Sequence, residues 1–261
     1  MDILKQRIIL TGAGGAIGKA LARELYHQGA RLVLTGRNMV ILEELQSEMP
    51  GVEILGTDLS SDRGCSKIIS FTTQTMGGID ILINLAGVGQ FSQIEHHTAH
   101  DVNKLMSANL YAPIILSKLA IEIMLTQENA CKIVNIGSIL GSVGGAWHSV
   151  YAATKFGLRG FSESLRRELH DSNVSISYVA PRAVSSHSNP EHVQKMMDKV
   201  CLVIDSPEVV AKKIISAIKH DKKEYHIGFL ETLLTKLNVI LPNLCDFFLK
   251  YVSRASKPFL K

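Results

Sequence analysis

The chain has 261 residues, 46% of them hydrophobic and 20% charged, with a net charge of +4. That is ample for one large core, and the interspersed charges, without a basic run or a nucleic-acid-binding motif, argue against a nucleic-acid partner. Met1 to Arg7 runs into an apolar stretch without a long hydrophobic lead, and no run of about 18 apolar residues follows, so neither a signal peptide nor a spanning helix is expected. Cys65, Cys131, Cys201 and Cys245 lack metal-ligand spacing and read as reduced, mostly buried thiols of a cytoplasmic protein with no metal site.

In chain order, apolar runs alternate with helical periodicity. Arg7 to Leu10 reads as a strand, followed by a glycine-rich turn and a helix from about Ile17 to Gln28, with Gly29 closing it. Arg31 to Thr35 is a second strand, Val40 to Met49 a helix, and Val52 to Gly56 a third strand. Ser60 or Ser61 suits the cap of the next helix. Asp80 to Leu85, Lys132 to Ile136 and Val174 to Val179 are further strands, with long helices near 101–126 and 149–170. Ser206 and Pro207 form a cap and first helical residue for 207–219, and Tyr225 to Ile227 is a short last strand. Strands apolar throughout must be covered on both faces. Alternation with helices therefore predicts an α/β fold, a doubly wound parallel sheet in three layers of Rossmann type.

The turn after the first strand reads Thr11-Gly12-Ala13-Gly14-Gly15-Ala16-Ile17-Gly18. Small residues let the backbone approach a pyrophosphate, and the helix that follows offers free N–H groups and a positive dipole end. An acidic residue at the end of the second strand would accept from the ribose hydroxyls of NAD. Leu34-Thr35-Gly36-Arg37-Asn38 has none, and Arg37 is instead positioned to pair with a 2′-phosphate, which favours NADP(H).

Tyr151-Ala-Ala-Thr-Lys155, with Ser138 thirteen residues before the tyrosine, carries the chemistry. A phenol has an ordinary pKa of about 10. Lys155, four residues on, shares a helix face with it, and its charge should favour the phenolate. A serine at a strand end can hold a substrate oxygen. The three together suggest proton transfer to or from an alcohol or ketone.

These motifs resemble the short-chain dehydrogenase/reductase family over roughly residues 5–227. The family's Thr-Gly-x-x-x-Gly-x-Gly matches Thr11, Gly12 and Gly18, with Ala16 in place of the middle glycine. The resemblance implies that Asp58, followed by Leu59, contacts adenine. It also implies that Asn84-Leu85-Ala86-Gly87 is the family's Asn-Asn-Ala-Gly, and that Asn109 joins Ser138, Tyr151 and Lys155 as a catalytic residue, holding a water that links Lys155 to solvent. The family's Pro-Gly-x-Val-x-Thr is Pro181-Arg182-Ala183-Val184-Ser185-Ser186 here, with Ser186 keeping a hydroxyl for the carboxamide. Arg182 departs from the pattern. A cofactor phosphate, an acidic substrate group and a structural ion pair are its candidate partners.

Residues 185–206 correspond to the family's substrate cover. Met196 and Met197 suit an adaptable apolar pocket or ordinary helix packing, and His187 and His192 read as exposed. Residues 1–228 thus form one domain, followed by an amphipathic extension, 229–261. In it, Leu230, Leu233, Leu234, Leu237, Ile240, Leu241, Leu244 and Phe248 recur at helical spacing, with Pro242 kinking or splitting the helix. A membrane surface, the cleft, the chain's own domain and another subunit are its candidate partners. The leading expectation is an NADP(H)-dependent carbonyl reductase or alcohol dehydrogenase acting on a small lipophilic molecule, with homodimers or homotetramers as the assembly. The alternatives are a catalytically idle dinucleotide sensor and a membrane-surface protein acting through its tail.

Overall fold

The computed structural model describes residues 1–185, 191–199 and 203–260. Seven parallel strands, β1 (Arg7–Thr11), β2 (Arg31–Gly36), β3 (Glu53–Gly56), β4 (Ile81–Asn84), β5 (Cys131–Ile136), β6 (Val174–Ala180) and β7 (Glu224–His226), form one sheet in the order 3-2-1-4-5-6-7. The direction of winding reverses between β1 and β4, which pair Ile8 to Ile81 and Leu10 to Ile83. In such sheets the crevice beyond the carboxyl ends of the strands at that reversal is where ligands bind.

The central strands are largely apolar on both faces because both faces are covered. In β1, Ile8 and Leu10 point into a cluster with Leu21 and Leu25 of α1 (Ala16–His27) and Ile214 and Ile218 of α8 (Pro207–Lys219). Ile9 points the other way, into a cluster with Ile68 of α3 (Asp62–Met76) and Leu116 and Ala120 of α5 (Ala112–Met124). Leu10 is fully buried, so Leu10→Ala should cost about 2–5 kcal/mol. The helix-start signals behave as read. Ser61 accepts from Gly64 N at the start of α3, and Ser206 accepts from Val209 N ahead of Pro207.

One helical region differs from the sequence reading, and a second is split at Pro242 as that reading allowed. The helix near 101–126 is α4 (Ala99–Met106) and α5 joined by a π-helical turn, Ser107–Tyr111, which contains Asn109. The C-terminal region is two helices, α9 (Phe229–Ile240) and α10 (Pro242–Ser256), split where Pro242 opens the second. Cys65, Cys131 and Cys245 are buried and free, and Cys201 lies outside the described residues.

Candidate active site

The loop between β1 and α1 is held closed by backbone approach that only glycine permits. Gly12 has φ +69°, and a Cβ there would lie 2.8 Å from Ala86 Cα. A Cβ on Gly18 would lie 2.2 Å from Gly12 O. Gly15 precedes α1 without any side-chain cap, so the first N–H groups of the helix have no side-chain partner. They line a cavity of about 500 Å³ together with Gly14, Ala16, Ile17, Arg37, Asp58, Leu59, Ala86 and Gly87. An uncapped helix N-terminus opening into a cavity fits a bound pyrophosphate. Arg37 is exposed at its edge, where Asn38, the cap of α2 (Met39–Glu48), also lies.

Two residues expected at the cofactor are wall supports instead. Thr11 is buried, and its hydroxyl accepts from Leu85 N and Ala86 N, both at 3.0 Å, and donates to Ile83 O. Asn84 points into the β4–β5–α5 packing, donating to Asn135 Oδ1 at 2.8 Å and Ser117 Oγ at 3.2 Å. Neither lines the cavity, because β-strand alternation turns both side chains towards neighbouring elements rather than out of the crevice. Ser186 falls outside the described residues, as do His187 and the side chain of His192.

A second cavity, of about 250 Å³, adjoins the first and is lined by Ser138, Tyr151, Lys155, Pro181, Arg182 and Val184. Ile17, Leu85, Gly87, Val88 and Val184 line both. Ser138 ends β5 and accepts from Leu140 N at the start of the short helical turn Ile139–Gly141. Tyr151 and Lys155 sit in the first turns of α6 (Ser149–Glu168). The Ser138 hydroxyl is near enough to the Tyr151 phenol to favour its ionised form. Dense surroundings set both titrating groups: burial pushes Tyr151 up, against the Ser138 hydroxyl, and pushes Lys155 down to about 8.

The expectation that Lys155 lowers the Tyr151 pKa therefore needs correction. Lys155 Nζ lies 5.8 Å from the tyrosine ring centroid and donates to Ile136 O at 3.0 Å. Desolvation disfavours both charged forms and is the largest cause of each shift.

Asn109 is fully buried, and its amide clamps the loop after β4. It accepts from Val88 N at 2.8 Å and donates to Val88 O at 2.9 Å and to Thr154 Oγ1 at 3.2 Å. Both amide hydrogens are thus in use. The side chain acts here as a brace. Thr154, which sequence reasoning passed over, completes the brace by donating to Tyr151 O at 2.7 Å. Tyr178 was also missed. Its hydroxyl bonds the Ser138 backbone, and a Cβ on Gly137 would lie 2.1 Å from the Tyr178 ring. The apolar spacing of β6 marks Tyr178 as core but gives no sign that it lies beneath the catalytic serine.

Arg182 takes the structural option among its three candidate partners. Its guanidinium forks onto Asp205 at 2.9 and 3.0 Å and reaches Glu231 of α9 at 3.2 Å. Asp205 is half of a β-bridge with Val184 that pins the two ends of the segment containing α7 (Glu191–Lys199). Burial raises the Asp205 carboxyl, but Arg182 and Lys213 outweigh it and hold the group below its ordinary value.

A family profile described as short chain dehydrogenase matches residues 6–197. The chain belongs to that family. It is 30% identical over 268 residues to dehydrogenase/reductase SDR family member 7B of Bos taurus, covering 96% of this chain and 81% of that protein. It is 29% identical over 251 residues to the uncharacterized oxidoreductase YxnA of Bacillus subtilis, covering 92% and 70%. Among solved structures, a short-chain dehydrogenase/reductase from Burkholderia phymatum in complex with NAD superposes with a TM-score of 0.84 at 21% identity, covering 94% of this chain and 96% of that one. One from Streptomyces avermitilis gives 0.81 at 22%, covering 96% and 97%. This short-chain dehydrogenase is thus an oxidoreductase with a nucleotide-binding Rossmann fold, a family that works with a nicotinamide dinucleotide. Among the described residues no helix is long and apolar enough to cross a membrane.

Proposed function

We propose that this short-chain dehydrogenase is an NADP(H)-dependent enzyme interconverting a carbonyl and a secondary alcohol on a lipophilic substrate, such as a long-chain ketone, an acyl derivative or a steroid-like molecule. The observation that carries the reading is the gathering of Ser138, Tyr151 and Lys155 in a cavity that adjoins the glycine-lined cleft. The cofactor supplies the hydride. Tyr151, kept protonated at neutral pH by burial, donates its proton to the carbonyl oxygen. Ser138 holds that oxygen. Lys155, charged below about 8, stabilises the phenolate left behind and is aimed by its bond to Ile136 O. Asn109 and Thr154 fix Tyr151 against the Val88 loop.

Support for NADP(H) comes from Arg37 at the cleft edge, with Lys104 as a second cation on the same lining. Support for a lipophilic substrate comes from the approach to Tyr151. Phe91 stacks on His148 at 5.2 Å, and His148 lies 6.4 Å from the Tyr151 ring. Burial lowers the His148 pKa, which keeps the imidazole neutral. Exposed Met106, Tyr111 and Phe156 on the α4–α6 face suit a homodimer or homotetramer, and the 229–261 region suits peripheral membrane contact.

NADPH and NADH oxidation over a panel of long-chain ketones, aldehydes and quinones tests this reading. The parent should prefer NADPH, and Arg37→Asp should cut that preference by roughly tenfold or more, the value of one charge-assisted bond. Equal use of both cofactors by the parent would remove the NADP assignment. Tight NADPH binding with no turnover on any substrate would make the protein an idle binder.

A further inference from the structure

α9 and α10 leave most of their large apolar side chains outward, with Leu234, Leu237, Leu249 and Val252 half-buried. Along α9, Thr235 is 6% exposed, Asn238 donates to Ser142 O at 3.2 Å, and Leu234 and Leu237 are half-buried. Along α10, Cys245 and Ser256 are buried at 2% and 4%. The large side chains face solvent: Phe229 is 83% exposed, Phe247 73% and Tyr251 77%. Ten of the twenty large apolar side chains exposed among the described residues fall within 229–251. A helix that only covers its own domain shows the reverse pattern, apolar inward and polar outward. Apolar exposure concentrated in this way marks an interaction surface.

Charge indicates the partner. Lys236, Lys250, Arg254 and Lys257 are exposed on the same two helices and the turn after them, while Asp246 is the one exposed acid there. Glu231 is already engaged by Arg182. A self-complementary contact between two copies needs acids to meet these cations, and this surface has almost none to offer. Exposed Phe and Tyr among lysines instead match a lipid interface with anionic headgroups.

The surface also borders the catalytic cavity. Trp147 Nε1 donates to Ser253 O of α10 at 3.4 Å, and Trp147 lies in the segment joining Ser138 to Tyr151. α7 packs against α10 and the turn Lys257–Phe259. Arg182, on the cavity lining, binds α9 through Glu231.

We propose that α9 and α10 seat this enzyme on an anionic lipid surface, so that a chain-bearing carbonyl or alcohol substrate passes from that surface to Tyr151. The seating stands on the tail alone. The substrate route rests on the function proposed above.

The test uses the full-length protein with vesicles of phosphatidylcholine and vesicles enriched in phosphatidylglycerol. Flotation should be strong with the second, weak with the first, and reduced by salt. The double variant Phe247→Glu/Phe248→Glu should lower partition by roughly a hundredfold, since two buried aromatic rings are lost and two like charges face the lipid. It should keep the parent's turnover on a short, water-soluble ketone and lose it on a long-chain ketone embedded in the anionic vesicles. No flotation of the parent with anionic vesicles would overturn the seating. So would a variant that floats like the parent, or one whose only change is a smaller oligomer by light scattering, which would mark the surface as a contact between copies. Equal loss on both ketones would overturn the route. Flotation of a parent that turns over no carbonyl would sink the proposed function while leaving the seating in place.

Discussion

The two ends of the sheet are built on opposite principles. At the amino end, Arg7 and Asp80 form a saturated polar cluster. Asp80 accepts from Arg7 N at 2.7 Å, from Arg7 Nε at 2.9 Å and from Asn129 Nδ2 at 2.9 Å. Gln127 bridges Arg7 to both backbone groups of Ile79. Burial raises the Asp80 carboxyl, but the hydrogen bonds from Arg7 and Asn129 more than offset this, and its pKa is lowered. At the carboxyl end, the α1 N-terminus has no side-chain cap, and burial outweighs the polar contacts that Tyr151 and Lys155 make with Ser138 and Ile136 O. Groups whose polar partners lie within the fold hold it together. Groups left with unmet demand are available to a ligand.

That contrast can be broken in three places. The largest effect is expected at Tyr151. Tyr151→Phe should fold, bind the dinucleotide as the parent does, and lose turnover by roughly 10³–10⁴-fold, the scale of a positioned general acid. Steady-state kinetics with a fluorescence titration of NADPH checks both parts, and parent-like turnover would take Tyr151 out of the mechanism. At the opposite end, Asp80→Ala should leave kcat of the folded enzyme unchanged but cost about 3–5 kcal/mol in urea unfolding, because the Arg7 charge is left without its partner. A loss under 1 kcal/mol would mean that the cluster is solvated.

The smallest effect is a pH dependence. A lysine in the unfolded chain keeps its proton to 10.5, whereas Lys155 in the fold releases it at about 8. Between those values the unfolded chain binds more protons, so Lys155 makes stability rise with pH. Relative to Lys155→Met, the parent should gain stability from pH 8 to pH 10. Urea midpoints for the pair across that window measure this, and a constant difference would show that Lys155 is not desolvated.

The sequence made the carboxyl end of the sheet legible because its chemistry is local. Glycines 12 and 18 lie six residues apart where the β1–α1 loop enters α1, and Tyr151 and Lys155 lie one helical turn apart. The strands were legible because burial on both faces leaves unbroken apolar runs such as Ile8 to Leu10. What escaped depends on distance or direction. The Arg182 partners lie 23 and 49 residues away, so no spacing rule reaches them. Thr11 and Asn84 carry the family pattern, yet strand alternation turns their side chains to structural partners. Periodicity found the apolar stripe of 229–248 but could not say which way it faces, since an inward and an outward stripe have the same spacing. The π-turn at 107–111 has no compositional mark at all.

That turn has a further consequence, for length rather than chemistry. α4 and α5 are one rod with a change of register between them, and the change aims Asn109 at Val88. Deleting one residue from 107–111 should restore regular α-helix and remove the widened turn that carries Asn109 towards Val88. The brace on Tyr151 would be lost although every named catalytic residue remained. For this stretch the number of residues matters as much as their identity, and a variant of altered length here should retain the full motif set and lose the brace.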